Sequence, residues 1–331
     1  MEDSLVQNMS SSSEATDIII LNYNNWKDTI ECLHSVFCLE EVLYNVIVVD
    51  NNSSDNSIEN IITWADGGLD TSLPDFLPDR KLLKKPIEYS LLQADSLEKS
   101  NTKLILIQSG INLGYAGGNN IGLRYSVKYG NYYQWIINND VIVSSNSLKA
   151  LIDCYKRKKR IGLLGAKLFY HHAPNQLQGV GGRYNKYIGV CSHIKDRSLI
   201  DYPIGASIFT NVHFIRKVGY MCEDYFLYYE EIDWALRAKK AGYDIDYCDE
   251  SIVYHKEGAT TGIDHTRKTK SELSDYYSLR NRLVFSKKYF PLYLPIVYLG
   301  FVVVLANRLK RFQFKRTLKI CKIMLTHRVR I

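Results

Sequence analysis

In YFLYYEEIDWALRAKKAGY (residues 225–243) three acids, Glu230, Glu231 and Asp233, open a helical pattern whose apolar face is Ile232, Ala235, Leu236 and Ala238. Adjacent carboxylates set among Phe226, Tyr228, Tyr229 and Trp234 are expected to be partly desolvated, so one of them would hold its proton to higher pH and suit general-base work. The simpler alternative is that acids in a first turn merely answer the helix dipole. A fourth acid, Asp140, directly follows a buried-looking run containing Trp135, Ile136 and Ile137. A carboxylate there is costly unless it is paired or bound to a cation, and oxygen ligands of this kind suit Mg²⁺ or Mn²⁺. Asp140 could also be a helix N-cap. His255 closes the last expected strand, where its imidazole could complete a carboxylate–imidazole metal site with Asp140 or serve as an ordinary hydrogen-bonded side chain.

Further polar residues end every apolar run of the first 140 positions. The first run is followed by Asn22, Tyr23 and Asn24, and the second by Asp50, Asn51, Asn52, Ser53, Ser54 and Asp55. The third is followed by NLGYAGGNNIG (112–122), with Asn112, Gly117, Gly118 and Asn119, and the fourth by Asn138, Asn139 and Asp140. Asp50 can accept a hydrogen bond from the imide N–H of a uracil or thymine, although the whole DNNSSD run is also ordinary turn and cap chemistry. Gly117 and Gly118 would let a ligand approach the backbone closely at a helix N-terminus. The segment has neither the GK[ST] of a Walker loop nor a GxGxxG directly after its strand.

These residues need elements to bring them together. DIIILN (17–22) and YNVIVVD (44–50) are β-branched strands flanking a helical pattern over 25–39 with Trp26, Ile30, Leu33 and Phe37 in phase, which is a βαβ unit with parallel strands. A second cycle follows, with a helix over 54–65, a strand over 103–108, a helix over 116–129 and a strand over 132–138. Ligands in open α/β sheets sit beyond the carboxyl ends of the strands, so the polar ends above should converge on one crevice. Residues 67–101 read as an irregular surface excursion. Beyond 150 the pattern loosens into a helix over 145–158, a strand over 161–170, a glycine-rich stretch, the acidic helix over 229–241 and short strands over 244–248 and 251–255.

The chain has 331 residues, 46% of them hydrophobic, enough for a full core, which excludes a disordered or fibrous protein. Seven scattered cysteines without CxxC spacing favour a reducing compartment. Residues 1–16 are polar and serine-rich, read as a disordered lead-in with no secretory signal. The net charge of +7 is concentrated: residues 301–331 carry nine Lys/Arg and no acid, leaving the preceding residues slightly acidic. That basic segment follows the apolar run PLYLPIVYLGFVVVLA (291–306), a pattern expected of a membrane surface and not of a nucleic-acid binder. Containing Pro295 and Gly300, the run is short for a spanning helix, so an interfacial helix and a packed core helix both remain open.

In order and type these motifs resemble family 2 of the inverting glycosyltransferases, most closely a bacterial rhamnosyltransferase-like branch, over about residues 17–290. ILNYNN, VVDNNSSDNS, NLGYAGGNNIG, INND, YYEEIDWALRAKKAGY and VYHKEGATTG carry the resemblance. It implies a GT-A fold, α/β with a mixed sheet flanked by helices, divided into a nucleotide-sugar half (17–140) and an acceptor half (141–270). A helical, membrane-associating extension (271–331) would follow. It further implies a dTDP- or UDP-sugar donor, with dTDP-L-rhamnose first, and a glycan or polyprenyl-linked acceptor at the cytoplasmic face of the cell membrane. Asp50 would bind the pyrimidine. Asn22, Tyr23, Asn52, Asn112, Gly117, Gly118, Asn119 and Asn139 would line the nucleotide pocket, and Asp140 with His255 would hold Mg²⁺ or Mn²⁺. Glu231 would be the base, with Glu230 and Asp233 orienting the substrates. Asn138 and Asn139 stand where acids are common in the family, leaving the metal fewer charged ligands. Two other readings are an enzyme that makes the activated sugar, which would want a Gly/Lys-rich phosphate loop absent from ILNYNNW, and a non-catalytic carbohydrate-binding scaffold.

Overall fold

The structure is a computed structural model, describing residues 15–77, 81–196, 199–256 and 271–326. β1 (Thr16–Asn22) runs through α1 (Trp26–Phe37) into β2 (Tyr44–Asp50), and the two strands pair in parallel from Thr16↔Tyr44 to Asn22↔Asp50. After α2 (Ser57–Asp66) come β3 (Tyr89–Gln93), β4 (Leu104–Gln108), α3 (Gly114–Tyr129) and β5 (Tyr133–Asn138). Ile18, Ile20, Val46 and Val48 face α1 and α2, while Ile19, Ile47 and Val49 face α3. Burial on both sides is why these strands read as unbroken β-branched runs, the signature of a parallel sheet covered by helices.

The second half adds β6 (Val141–Val143), α4 (Ser147–Arg157), β7 (Ile161–Tyr170), β8 (Ala173–Gly179), β9 (Gly181–Asn185), β10 (Val190–Ile194), β11 (Ser207–Asn211) and α5 (Val212–Val218). It continues with α6 (Glu230–Lys240), β12 (Asp244–His255), α7 (Glu272–Tyr289), α8 (Leu294–Lys310) and α9 (Phe314–Thr326). The main sheet has the order β3-β4-β2-β1-β5-β11-β7-β12-β6, with β8 added to β7. β3, β4, β2, β1 and β5 are mutually parallel, and β11 enters antiparallel to both β5 and β7. The chain therefore turns left and right of β1, and the ends of β2, β1 and β5 lie within one residue of each other, Asn22 level with Asp50 and Leu21 with Asn138, at the switch point where ligands of open α/β sheets bind.

Four expectations need correction. The 67–101 excursion contains β3, which ends the sheet order and pairs with β4 alone among the described residues. The short strands over 244–255 are one strand, β12, with a register shift between Cys248 and Ile252. Thr16 belongs to β1 and is fully buried, so the lead-in is shorter than 16 residues. Residues 1–14, and 257–262 of the last motif, lie outside the described residues. Finally, α7 does not begin an appendage at 271: Phe285 is buried in the same apolar cluster as Trp234, Ile232 and Ile136.

Candidate active site

The crevice floor is built by asparagine and carboxylate contacts. Asp50 Oδ1 accepts from Asn22 Nδ2 (2.7 Å) and Ser53 Oγ (2.6 Å), and its Oδ2 accepts from the Ser53 backbone N–H (3.0 Å). Of the four acceptor positions of a carboxylate, three are thus filled and one, on Oδ2, remains among the described residues. Asn22 Oδ1 in turn accepts from Thr29 Oγ1 at 2.8 Å, and Asn139 Nδ2 donates to Thr29 Oγ1 at 3.0 Å. The Asn139 amide thereby ties the end of β5 to α1. Asn24 and Asn52 take left-handed backbone conformations (φ 50° and 64°), which asparagine adopts at little cost, and Asn52 is exposed. Tyr23 is half-buried beside them.

The NLGYAGGNNIG segment has a different role from the one its glycines suggest. Asn51 Nδ2 donates to Asn112 Oδ1 (3.0 Å), Asn51 Oδ1 accepts from Leu113 N–H (3.0 Å), and Asn112 Oδ1 also accepts from Gly114 N–H (2.9 Å), which fixes the loop on the end of β2. A Cβ on Gly118 would lie 2.3 Å from Leu21 Cδ1 of β1, and one on Gly117 would lie 2.5 Å from Leu113 Cβ. These glycines let α3 lie close on the sheet and on its own entry loop. Asn119 is fully buried, donates to Tyr115 O at 3.0 Å and keeps Oδ1 without a hydrogen-bond partner among the described residues.

Asp140 and His255 meet, as β12 pairs with β6 through His255↔Val141. His255 Nε2 lies 3.3 Å from Asp140 Oδ1, and both residues are buried. On the other side of the ring, Nδ1 lies 3.0 Å from Oε1 of the buried Gln178. A proton on Nε2 pairs with the Asp140 carboxylate, and a neutral imidazole beside that carboxylate offers a nitrogen and an oxygen to a metal ion. Burial would raise the Asp140 carboxyl, but His255, its own backbone N–H and Lys256 outweigh burial and hold it below the usual carboxylate range. One carboxylate and one imidazole, with further positions left for oxygen ligands, fit Mg²⁺ or Mn²⁺.

The three acids of α6 part company in the fold. Glu230 is buried with Oε1 unpartnered, and burial first, then the neighbouring Glu231, pushes its carboxyl far above the ordinary range. Glu231 is half-buried, and burial pushes it up to about 7. Asp233 is fully buried. It accepts from Arg237 Nε (2.7 Å), Tyr225 OH (2.9 Å), Lys288 Nζ (2.9 Å) and Tyr289 OH (2.7 Å), and these donors overcome burial and hold its carboxyl below the ordinary range. Asp233 therefore clamps α7 to α6. Tyr115, given no part by the sequence reading, sits where the two halves meet. Its OH donates to Gly205 O at 2.7 Å, and burial, then Glu231, Glu230 and Asp140, drive its pKa well upward.

The segment entering α6 is strained. Phe226, Tyr228 and Tyr229 all have positive φ (67°, 70° and 81°), a conformation costing about 1–3 kcal/mol each for residues of this kind. One side chain spans the segment: Asn281 of α7, fully buried, directs Nδ2 at the carbonyls of Tyr225 (2.9 Å), Leu227 (2.8 Å) and Tyr228 (3.0 Å). From the nucleotide side, Tyr115 N–H donates to Phe226 O at 2.7 Å. Gly114 must be glycine there, since it has φ 71° and a Cβ would lie 2.2 Å from Phe226 O.

Residues 17–73 match the family model Glycosyl transferase family 2. Over 198 residues the chain is 26% identical to the Low-salt glycan biosynthesis hexosyltransferase Agl10 of Haloferax volcanii, covering 58% of this chain and 62% of that protein's length. Among solved structures, the mannosyltransferase PcManGT from Pyrobaculum calidifontis, in complex with GDP-Man and Mn²⁺, superposes with a TM-score of 0.53 at 12% identity, covering 96% of this chain and 88% of that one. S. aureus TarS 1-349 in complex with UDP superposes with a TM-score of 0.51 at 14% identity, covering 82% of this chain and 64% of that one. The central mixed sheet flanked by helices is the GT-A architecture of these glycosyltransferase neighbours. The family model thus matches one stretch of the first half, the chain spans under two thirds of the hexosyltransferase relative's length, and the solved structures share the fold.

Proposed function

We propose that this chain is an inverting glycosyltransferase that moves a sugar from a pyrimidine nucleoside diphosphate donor to a glycan or polyprenyl-linked acceptor. The observation that carries the reading is the nearness of Asp140, Glu230 and Glu231 to the buried Tyr115, whose hydroxyl feels all three charges, with Asp140 paired to His255 and the Glu231 carboxyl pushed up to about 7. At Asp50, a vacant position for one donor suits the imide N–H of thymine or uracil better than guanine, whose edge offers two donors. dTDP-L-rhamnose is the first candidate from the motif resemblance, with UDP-hexoses next.

Asp140 and His255 would hold Mg²⁺ or Mn²⁺, and such a cation neutralises the charge of a departing nucleoside diphosphate. Glu231 takes the proton of the acceptor hydroxyl on its carboxylate as that oxygen attacks the anomeric carbon, and a single displacement of this kind inverts the configuration. Glu230, protonated and buried, keeps a second negative charge away from the base. The seven cysteines are free thiols, in keeping with work at the cytoplasmic face of a membrane.

The test is donor binding and hydrolysis across dTDP-rhamnose, UDP-glucose, UDP-galactose, UDP-N-acetylglucosamine and GDP-mannose, with Mn²⁺, Mg²⁺ or EDTA, for the wild type and Asp140→Ala. Metal-dependent selection of a pyrimidine donor, lost in the variant, is expected. Binding of none of them sinks the reading, and selection of GDP-mannose sinks the role given to Asp50.

A further inference from the structure

We infer that the outward face of the α8–α9 hairpin is a docking surface for an anionic lipid bilayer, on which the hairpin lies in the interfacial plane without crossing it. The inference deepens the proposed membrane-side acceptor, but its test does not depend on sugar transfer. The two faces of α8 differ in kind. Inward, Val297 and Phe301 are wholly buried against Leu279 and Leu283 of α7 and Ile320 and Ile323 of α9. Outward, Ile296, Leu299, Val302, Val303 and Leu309 recur at helical spacing and are exposed, Leu299 by 66% and Val303 by 60%, and Leu292 is exposed in the turn just before the helix. A continuous apolar stripe of this length on a surface helix marks an interaction site.

Charge selects the occupant. Residues 291–326 contain no Asp or Glu. Arg308 and Lys319 are matched by Asp275 and Glu272 of α7, at 2.5 and 3.3 Å. Lys310, Arg311 and Lys315 have no acidic partner among the described residues. They ring the α8–α9 turn, whose tip presents Phe312, 79% exposed, and Phe314, 58% exposed. Aromatic and aliphatic side chains bordered by unmatched cations on one side of a helix fit the headgroup boundary of a bilayer carrying negative charge.

By length and composition alone the 20 residues Pro291–Lys310 could cross a membrane. The inward side forbids it in the folded chain. The Arg282 guanidinium lies 5.1 Å from the centre of the Phe301 ring, and the Arg308–Asp275 pair sits at the other end, so crossing would carry charged groups into hydrocarbon or strip α8 from α7.

The full chain is sedimented with phosphatidylcholine vesicles, with and without phosphatidylglycerol. It is compared with Leu299→Glu/Val303→Glu and with Lys310→Gln/Arg311→Gln/Lys315→Gln, and donor binding in solution is measured in parallel. The wild type should sediment with the anionic vesicles and be released by alkaline carbonate. With each cation near an anionic leaflet strengthening partitioning roughly fivefold, the triple Gln variant should partition about a hundredfold more weakly. The double Glu variant should lose binding, and both variants should keep the wild type's donor behaviour. No vesicle binding, binding indifferent to both variants, or resistance to carbonate extraction, as for a spanning helix, each overturns the inference. So does a dimer that the Glu variant dissociates while lipid binding is absent. Vesicle binding as described with no donor bound would leave the inference standing and remove the transferase reading.

Discussion

The side-chain amide of Asn281 lies 3.0 Å from the carbonyl of Tyr228, although 53 residues separate them, and through this contact α7 holds the turn that aims Glu230 and Glu231. Replacing Asn281 by Leu or Asp removes the donor shared by three carbonyls, at a cost of about 1–3 kcal/mol for each carbonyl left dry. The expected result is a lower melting temperature together with a kcat reduced by about 10- to 100-fold, while KM for the donor, set on the other side of the crevice, stays within about twofold. A variant with lowered stability and unchanged kcat would make Asn281 a fold residue only.

If Glu231 is the base it acts only when deprotonated, so transfer should rise with pH through about 7 and fade below it. Glu231→Gln should lower the rate by about 10² to 10⁴ and flatten that limb of the pH–rate profile, with donor binding retained by calorimetry.

Glu230 makes the opposite contribution to stability. Its folded pKa is raised above the unfolded value, so the native chain binds more protons and stability is lost as pH rises from near 4.5 upward. Glu230→Gln should therefore unfold at a higher temperature than the wild type at pH 8, by about 2 °C or more, and the difference should shrink toward pH 5. Thermal unfolding across that range checks it.

If Gly118 serves helix–sheet approach, Gly118→Ala must displace Leu21 and should cost about 1–3 kcal/mol of stability, as overpacking does. Chemical denaturation measures the loss. Donor affinity should change by less than about threefold, whereas a backbone-approach role would show first in affinity.

The strand ends were legible because a strand buried on both faces is spelled in Ile and Val and stops abruptly at a polar residue, as at Asn22, Asp50 and Asn138. Asp140 and His255 could be paired from sequence because each follows such a run. Glycines were not legible in the same way, since Gly118 facing Leu21 and a glycine facing a phosphate look identical in a string of letters. Asp233 stood in one acidic cluster with Glu231, and only the arrival of Lys288 and Tyr289 from α7 separates the carboxylate held by four donors from the proposed base. Asn281, Gln178 and Tyr115 carry no spacing signal, because each acts through a backbone carbonyl or a ring nitrogen that the fold delivers from far along the chain.

Cutting the chain at the apparent domain end near 270, in search of a more soluble protein, would delete Asn281, Lys288 and Tyr289 together. Asp233 would keep only Arg237 and Tyr225, and the Phe226–Tyr229 turn would be free to relax its positive φ angles. Such a fragment could retain the nucleotide-side strands and still be inert. A better route to a tractable protein is to keep α7, α8 and α9 and place charges along the exposed Leu299 and Val303 stripe.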